Sequence, residues 1–381
     1  MLNLLKKLTV VTSAWLVTLF SQTGAGCQSL DGASMFRANP ARTGVQQTKG
    51  LQKFCKVKWK FKADAEIEST PVIADGVMYV ATYSGYIHAL DLNTGKEKRS
   101  PFQDKNRYKF SSSPLVAGKT IYFLNQDGYL YAFNTSSSKG AWSDEGVRLG
   151  QRSERSPVVS SPVISDRTLF VGSSDGYLYA LNDATRKTEW KFKVEAGIGS
   201  SPAIANGTLY FGADDFYIYA VNASTGKQKW QFLTRGPVLS TPAIADGILY
   251  VGSWEGNLYA IDVNTEREKW RFKTDRPIST SAAVYNGLVY LAAGDSQLYA
   301  IEATTGKEKW KASALSCMLC SPVIAESVVY IGGENILKAI DATTGQQKWQ
   351  YISQAAISTS PVVADGVVYF GTVDGTVYAI E

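Results

Sequence analysis

The chain has 381 residues with 45% hydrophobic and 12% aromatic content, too much apolar material for a disordered chain and enough for a sizeable core. Charged residues make up 19% and the net charge is +5 with histidine neutral, a balance too slight to mark a nucleic-acid binder. His88 is the single histidine, which disfavours His-rich zinc sites, haem attachment and Ser-His-Asp hydrolysis, since each needs a correctly placed imidazole.

In chain order, Lys6 and Lys7 precede a mostly apolar run at 8–20, the length of a signal-peptide core and short for a bilayer span. The run ends in Ser21-Gln22-Thr23-Gly24-Ala25-Gly26-Cys27. Ala25, Gly26 and Cys27 resemble a bacterial lipobox, whereas Gly24 departs from it. Residues 1–26 are read as a signal peptide and Cys27 as a lipidation site; the plainer alternative is cleavage near Ala25 or Gly26 without lipid. Residues 27–55 are read as an N-terminal tether and lead-in, and 56–381 as the folded domain.

Trp190, Trp230, Trp270, Trp310 and Trp349 recur at intervals of 40, 40, 40 and 39 residues, and Trp59, Arg99 and Trp142 extend the series upstream. A period in this range marks a repeat architecture. Within one unit, β-rich runs flank Asp246-Gly247, which supplies the positive-φ pair of a type I′ hairpin, and Glu255-Gly256 marks a second reversal. Thr-Gly pairs such as Thr225-Gly226 mark a third. Four short strands, here named A to D, make one propeller blade. Strand A carries the Ser/Thr-Pro pair and strand D the Trp. The repeats predict an all-β, eight-bladed propeller of four-stranded antiparallel blades. The last unit stops after strand C, so residues 56–62, containing Trp59, are predicted to supply its outer strand and close the ring.

The pattern Ala-x-Asp/Asn/Glu-x-x-Thr-Gly-x-x-x-Trp runs from Ala220 to Trp230, Ala300 to Trp310 and Ala339 to Trp349, with weaker copies at 89–99 and 260–270. It resembles the tryptophan-docking motif of the pyrroloquinoline-quinone-type propellers, and residues 35–44 resemble the segment that commonly precedes them. The resemblance implies that Trp59, Trp142, Trp190, Trp230, Trp270, Trp310 and Trp349 hold neighbouring blades together. In layout the chain is similar to the propeller lipoproteins of the outer-membrane β-barrel assembly machinery and their envelope relatives. This implies a non-catalytic, lipid-anchored scaffold in the periplasm or at the cell surface, with protein partners in the envelope. Quinone-dependent dehydrogenases share the repeat, but add an adjacent Cys-Cys pair, a carboxylate set for calcium and long insertions; the Cys-Cys pair is missing here.

His88 aligns with Tyr131, Tyr179, Tyr219, Tyr259, Tyr299 and Tyr378 on the C strands and is expected to pack as they do. Cys317 and Cys320 have C-x-x-C spacing. An extended segment holds such a pair about 10 Å apart, so two separate thiols are expected, with a bridge requiring a turn. Cys55 has no obvious partner. Because strands alternate in direction, B–C and D–A connections share one face of the disc. That face collects Trp254 and Phe216, Arg235 and Arg276 beside them, and Arg148, Arg152 and Arg155 from the longest connection. Aromatic and Arg side chains are enriched at interface cores, which makes these seven the candidate partner contacts; the plain reading is solvated loop charge. The expectation is a monomeric, non-catalytic binding module with no cofactor, metal or nucleic acid. A pyrroloquinoline-quinone-dependent dehydrogenase and a small-ligand or glycan binder at the channel mouth are the alternatives.

Overall fold

The computed structural model describes residues 34–103, 108–136, 146–150, 160–314 and 320–381. They form eight antiparallel four-stranded sheets, one extended by a two-residue fifth strand, with no helix among the described residues. Blades 1 to 7 span 72–103, 115–148, 163–193, 203–233, 243–273, 283–313 and 323–352. Blade 8 combines 362–380 with the strand Val57–Lys62. The architecture is the predicted eight-bladed β-propeller.

Position in the blade explains the sequence of each strand. Strand B of blade 5, Ile248–Gly252, is buried throughout and reads as one apolar run. Strand D of blade 4, Gln228–Leu233, lies on the rim, where Lys229 and Gln231 face water and Trp230 and Phe232 turn inward. Between strands A and B of blade 5, Asp246 and Gly247 sit at φ 50° and 74°, as a type I′ turn requires.

An alanine of strand C faces each described docking indole, as in Ala220↔Trp230, Ala300↔Trp310 and Ala379↔Trp59, and the ladder slips next to each of these pairs. The indole N–H then reaches the C–D turn of the next blade. Trp59, Trp190, Trp270 and Trp310 donate to the carbonyls of Leu92, Ala223, Ala303 and Ala342 at 3.0–3.1 Å. Gly226 shows why these turns carry glycine: φ is 66°, and a Cβ would lie 2.6 Å from the Trp190 ring. Trp142 lies outside the described residues. In blade 1, strand D is only Phe102–Gln103, so Arg99 precedes it and donates to the Tyr79 hydroxyl at 3.2 Å.

Val57–Lys62 pairs antiparallel with Thr376–Ile380, closing the ring as predicted. His88 adds to this seam. Its Nε2 lies 2.9 Å from Asp64, just beyond the closing strand, and its Nδ1 lies 2.7 Å from Glu97 of its own blade. In blades 3 to 6 the aligned tyrosines bond to a turn carboxylate of their own blade, as Tyr179 does to Asp175 and Tyr219 to Asp215, both at 2.7 Å.

Around the axis, Thr70, Ser113, Ser161, Ser201, Thr241, Ser281, Ser321 and Ser360 occupy one repeated position. From Thr70 onward, the backbone N–H of each donates to the hydroxyl of the next at 2.8–3.3 Å, seven links in all.

Residues 34–50 plug the channel. Ser34 pairs antiparallel with Val116 of strand A in blade 2, so the segment enters from the side of the A–B turns. Phe36 reaches the cavity that opens on the other side. On the return leg the carbonyls of Pro40, Ala41, Thr43 and Gly44 accept from the N–H groups of Ile204, Ile244, Val284 and Ile324, satisfying backbone groups of the inner strands. Val45–Gln46 then runs parallel to strand A of blade 7, back toward the A–B turns. Two fully buried guanidiniums knit the plug to the ring: Arg37 donates to Pro322 O at 3.1 Å and to Ala282 O, and Arg42 to Pro202 O at 3.2 Å and Pro162 O at 2.9 Å. Burial lowers both to about 9, with Arg37 adding repulsion at Arg42. They stay charged at neutral pH.

Cys320 corrects one expectation. It is disulfide-bonded, and since Cys55 is free its partner lies outside the described residues. The separate-thiol reading assumed an extended run, whereas Cys320 itself has no strand conformation.

Candidate functional site

Adjacent blades 4 and 5 build the distinctive part of the B–C and D–A face. In blade 5 the turn Ser253–Gly256 projects Trp254, which is 38% exposed, while its N–H donates to Pro237 O at 2.9 Å. Gly236 allows this contact: a Cβ there would lie 3.0 Å from the Glu255 nitrogen. Exposed Arg235 precedes Gly236, and exposed Arg276 follows from the next D–A loop. The carbonyl of Arg276 packs 2.7 Å from the position a Cβ on Gly256 would take. The two arginines therefore flank the Trp254 turn.

Phe216 occupies the equivalent turn of blade 4. It is 43% exposed and has φ 74°, a left-handed conformation that a bulky side chain rarely adopts. Thr234 holds it there, donating from N and Oγ1 to Phe216 O at 2.8 and 2.6 Å. Leu233, 58% exposed, pairs with Tyr217 beside it. Sequence reasoning missed Leu233. Its signal was an apolar residue where four other blades place Lys62, Lys193, Lys273 and Ser313, a departure that blade 7 shares through exposed Ile352.

Carboxylates anchor these turns. Asp215 accepts from Tyr219, and Glu255 accepts from Tyr259, whose phenol is pushed up to about 12 by burial and then by that bond. Burial, with Asp215 adding to it, holds the Asp214 carboxyl above its usual range.

Arg148 lies elsewhere. It belongs to strand D of blade 2, with its guanidinium 5.6 Å from the Tyr129 ring centroid. Arg152, Arg155, Cys27, Cys317 and residues 1–26 lie outside the described residues.

Beside Trp254 the channel opens into a cavity of about 260 Å³, floored by Phe36 and ringed by hydroxyls from Thr70, Ser113, Ser161, Ser201, Thr241, Ser281 and Ser321. Glu68 is the one charged side chain among its described lining residues.

The profile of the outer membrane protein assembly factor BamB matches residues 15–165, 146–245 and 234–381, together nearly the whole chain. The chain belongs to the BamB family. BamB from Moraxella catarrhalis shares the architecture at 18% identity and a TM-score of 0.71, over 86% of this chain and 97% of that one. The fold extends beyond assembly factors. The quinohemoprotein alcohol dehydrogenase from Comamonas testosteroni matches at 16% identity and TM-score 0.76, over 91% of this chain and 80% of the enzyme. A europium-containing methanol dehydrogenase matches at 13% identity and TM-score 0.75, over 91% and 98%. At these identities the likeness carries the fold alone. No curated protein matches the chain in sequence.

Among the described residues, the cavity does not suit the quinone of such enzymes. A carboxylate-bearing quinone needs cationic partners, whereas the described cavity lining offers hydroxyls, apolar groups and Glu68. Arg37 and Arg42 are committed to backbone carbonyls. Among the described residues, no three His, Cys, Asp or Glu gather to hold a metal ion.

Proposed function

We propose that this BamB-family chain is an exported, lipid-anchored and non-catalytic scaffold of the cell envelope, serving outer-membrane protein assembly by holding a protein partner on its B–C and D–A face. The carrying observation is the pair of exposed aromatics on adjacent turns, Trp254 and strained Phe216. Strain retained at an exposed residue is a reason to look for function there. Trp254 is the proposed anchor, Arg235 and Arg276 its rim, and Leu233 extends the apolar part. Arg148, Arg152 and Arg155 are secondary candidates.

Truncating a hot-spot aromatic typically costs about 2 kcal/mol or more of binding, while surface changes usually move stability by under about 0.5 kcal/mol. Trp254→Ala is expected to lose the envelope partners that crosslink to the parent protein while keeping its melting temperature. Retention of every partner, or a large fall in melting temperature, would place the binding face elsewhere. The dehydrogenase reading predicts saturable quinone binding with dye reduction by an alcohol, and the scaffold reading predicts neither.

A further inference from the structure

The plug fixes which side of the disc the N-terminus leaves from, and this decides how an anchored propeller is oriented. Ser34 pairs antiparallel with Val116, and strand A of blade 2 runs toward its A–B turn. The chain before Ser34 therefore comes from the side of the A–B and C–D turns. To cross through the channel the chain would have to double back along its own plug, where Phe36 and Arg37 leave a cavity of only about 170 Å³ against strand A of blades 1 and 8.

Six residues separate Cys27 from Ser34, so their Cα atoms lie at most about 25 Å apart. Reaching the opposite face around the rim means crossing four strands about 4.7 Å apart and descending a five-residue strand at about 3.3 Å per residue. That path is at least about 30 Å.

We propose that the face of A–B and C–D turns lies against the lipid surface, and that the face bearing Trp254 and Phe216 points away from it, open to a partner. This rests on the reading of Cys27 as the lipid anchor. A lipid on Cys27 then acts as a short leash on one side of the disc. It leaves blades 4 and 5 presenting their aromatic turns outward, with no steric competition from the membrane.

The test uses the full-length protein purified from membranes and placed in phosphatidylethanolamine and phosphatidylglycerol vesicles that carry a headgroup energy acceptor. In a Cys55→Ser background, one donor fluorophore is attached at Lys119→Cys, on an A–B turn, or at Val373→Cys, on a B–C turn; both positions are exposed. Lys187→Cys and Glu195→Cys, on opposite sides of blade 3, form a second pair in case either of the first misfolds. At least twofold greater energy transfer from positions 119 and 187 than from 373 and 195 is expected. Mass analysis of the N-terminal peptide separates the two ideas. A lipidated Cys27 with equal or reversed transfer overturns the orientation alone. An unmodified Cys27 overturns the anchor and the orientation together.

Discussion

Phe216 occupies a backbone conformation that costs an ordinary residue about 1–2 kcal/mol. At the same turn position, five other blades use glycine: Gly85, Gly128, Gly176, Gly256 and Gly375. Phe216→Gly removes the strain along with the ring. Its stability is expected to match the parent or exceed it by up to about 1 kcal/mol, while partner capture falls as it does for Trp254→Ala. Thermal melts read beside the crosslinking assay check this, and a markedly lower melting temperature would make Phe216 a packing residue. Both aromatics were legible in the sequence because they break a repeat whose other copies supply the comparison. The bonding of His88 was not. In blade 1 the turn carboxylate that pairs with the C-strand tyrosine in blades 3 to 6 is replaced by Ser84, and Asp64 from the neighbouring blade takes its place. Alignment within the repeat locates the substitution, but only the closed ring brings Asp64 within reach.

At the scale of the strand, the seam between blades 8 and 1 is tied by carboxylates as well as by the ladder. Burial raises the Asp374 carboxyl, but bonds from Thr372, Thr376 and Lys62 outweigh it and hold the group at about 2. At Asp64, burial is likewise outweighed by bonds from Ser84 and His88, leaving it below its ordinary 3.8. A folded-state value below the unfolded one contributes stability that is complete above the unfolded value and disappears as pH falls through the folded value. The seam should therefore weaken between about pH 4 and pH 2. Melting temperatures taken across this range should fall less steeply for an Asp64→Asn, Asp374→Asn double variant than for the parent. Parallel profiles would assign the acid sensitivity to other groups. The closing strand itself was legible, since the last unit lacked an outer strand and residues 56–62 were the spare copy.

Across the whole molecule, the lead-in proves to be part of the propeller's core. Trp349 has no next C–D turn to meet, and its N–H donates instead to Leu51 O at 2.8 Å. Arg42 bonds carbonyls of blades 3 and 4 across the axis. Arg42→Met would leave those buried carbonyls without donors, at a cost of about 2–4 kcal/mol. Arg42→Lys should recover part of it, and denaturant unfolding measures both. An unchanged midpoint for the Met variant would mean that the plug contributes nothing to stability. None of this was legible at the outset, because residues 34–50 share no period with the blades. An arginine in a short polar segment also reads as surface charge until a ring of carbonyls is found around it.

The seam has a further consequence for how the chain becomes a protein at all. Trp59 pairs with Ala379, 320 residues later, and the peptide at the axis touches strands from blade 2 through blade 7. The first segments synthesised are thus the last to find all their neighbours. Contacts this distant in sequence slow folding and leave strand edges waiting unpaired. Deleting Thr376–Ile380 would leave Val57–Lys62 without its strand partner. The circle closes only where Val57–Lys62 meets Thr376–Ile380, so closure itself reports that every blade between them has formed.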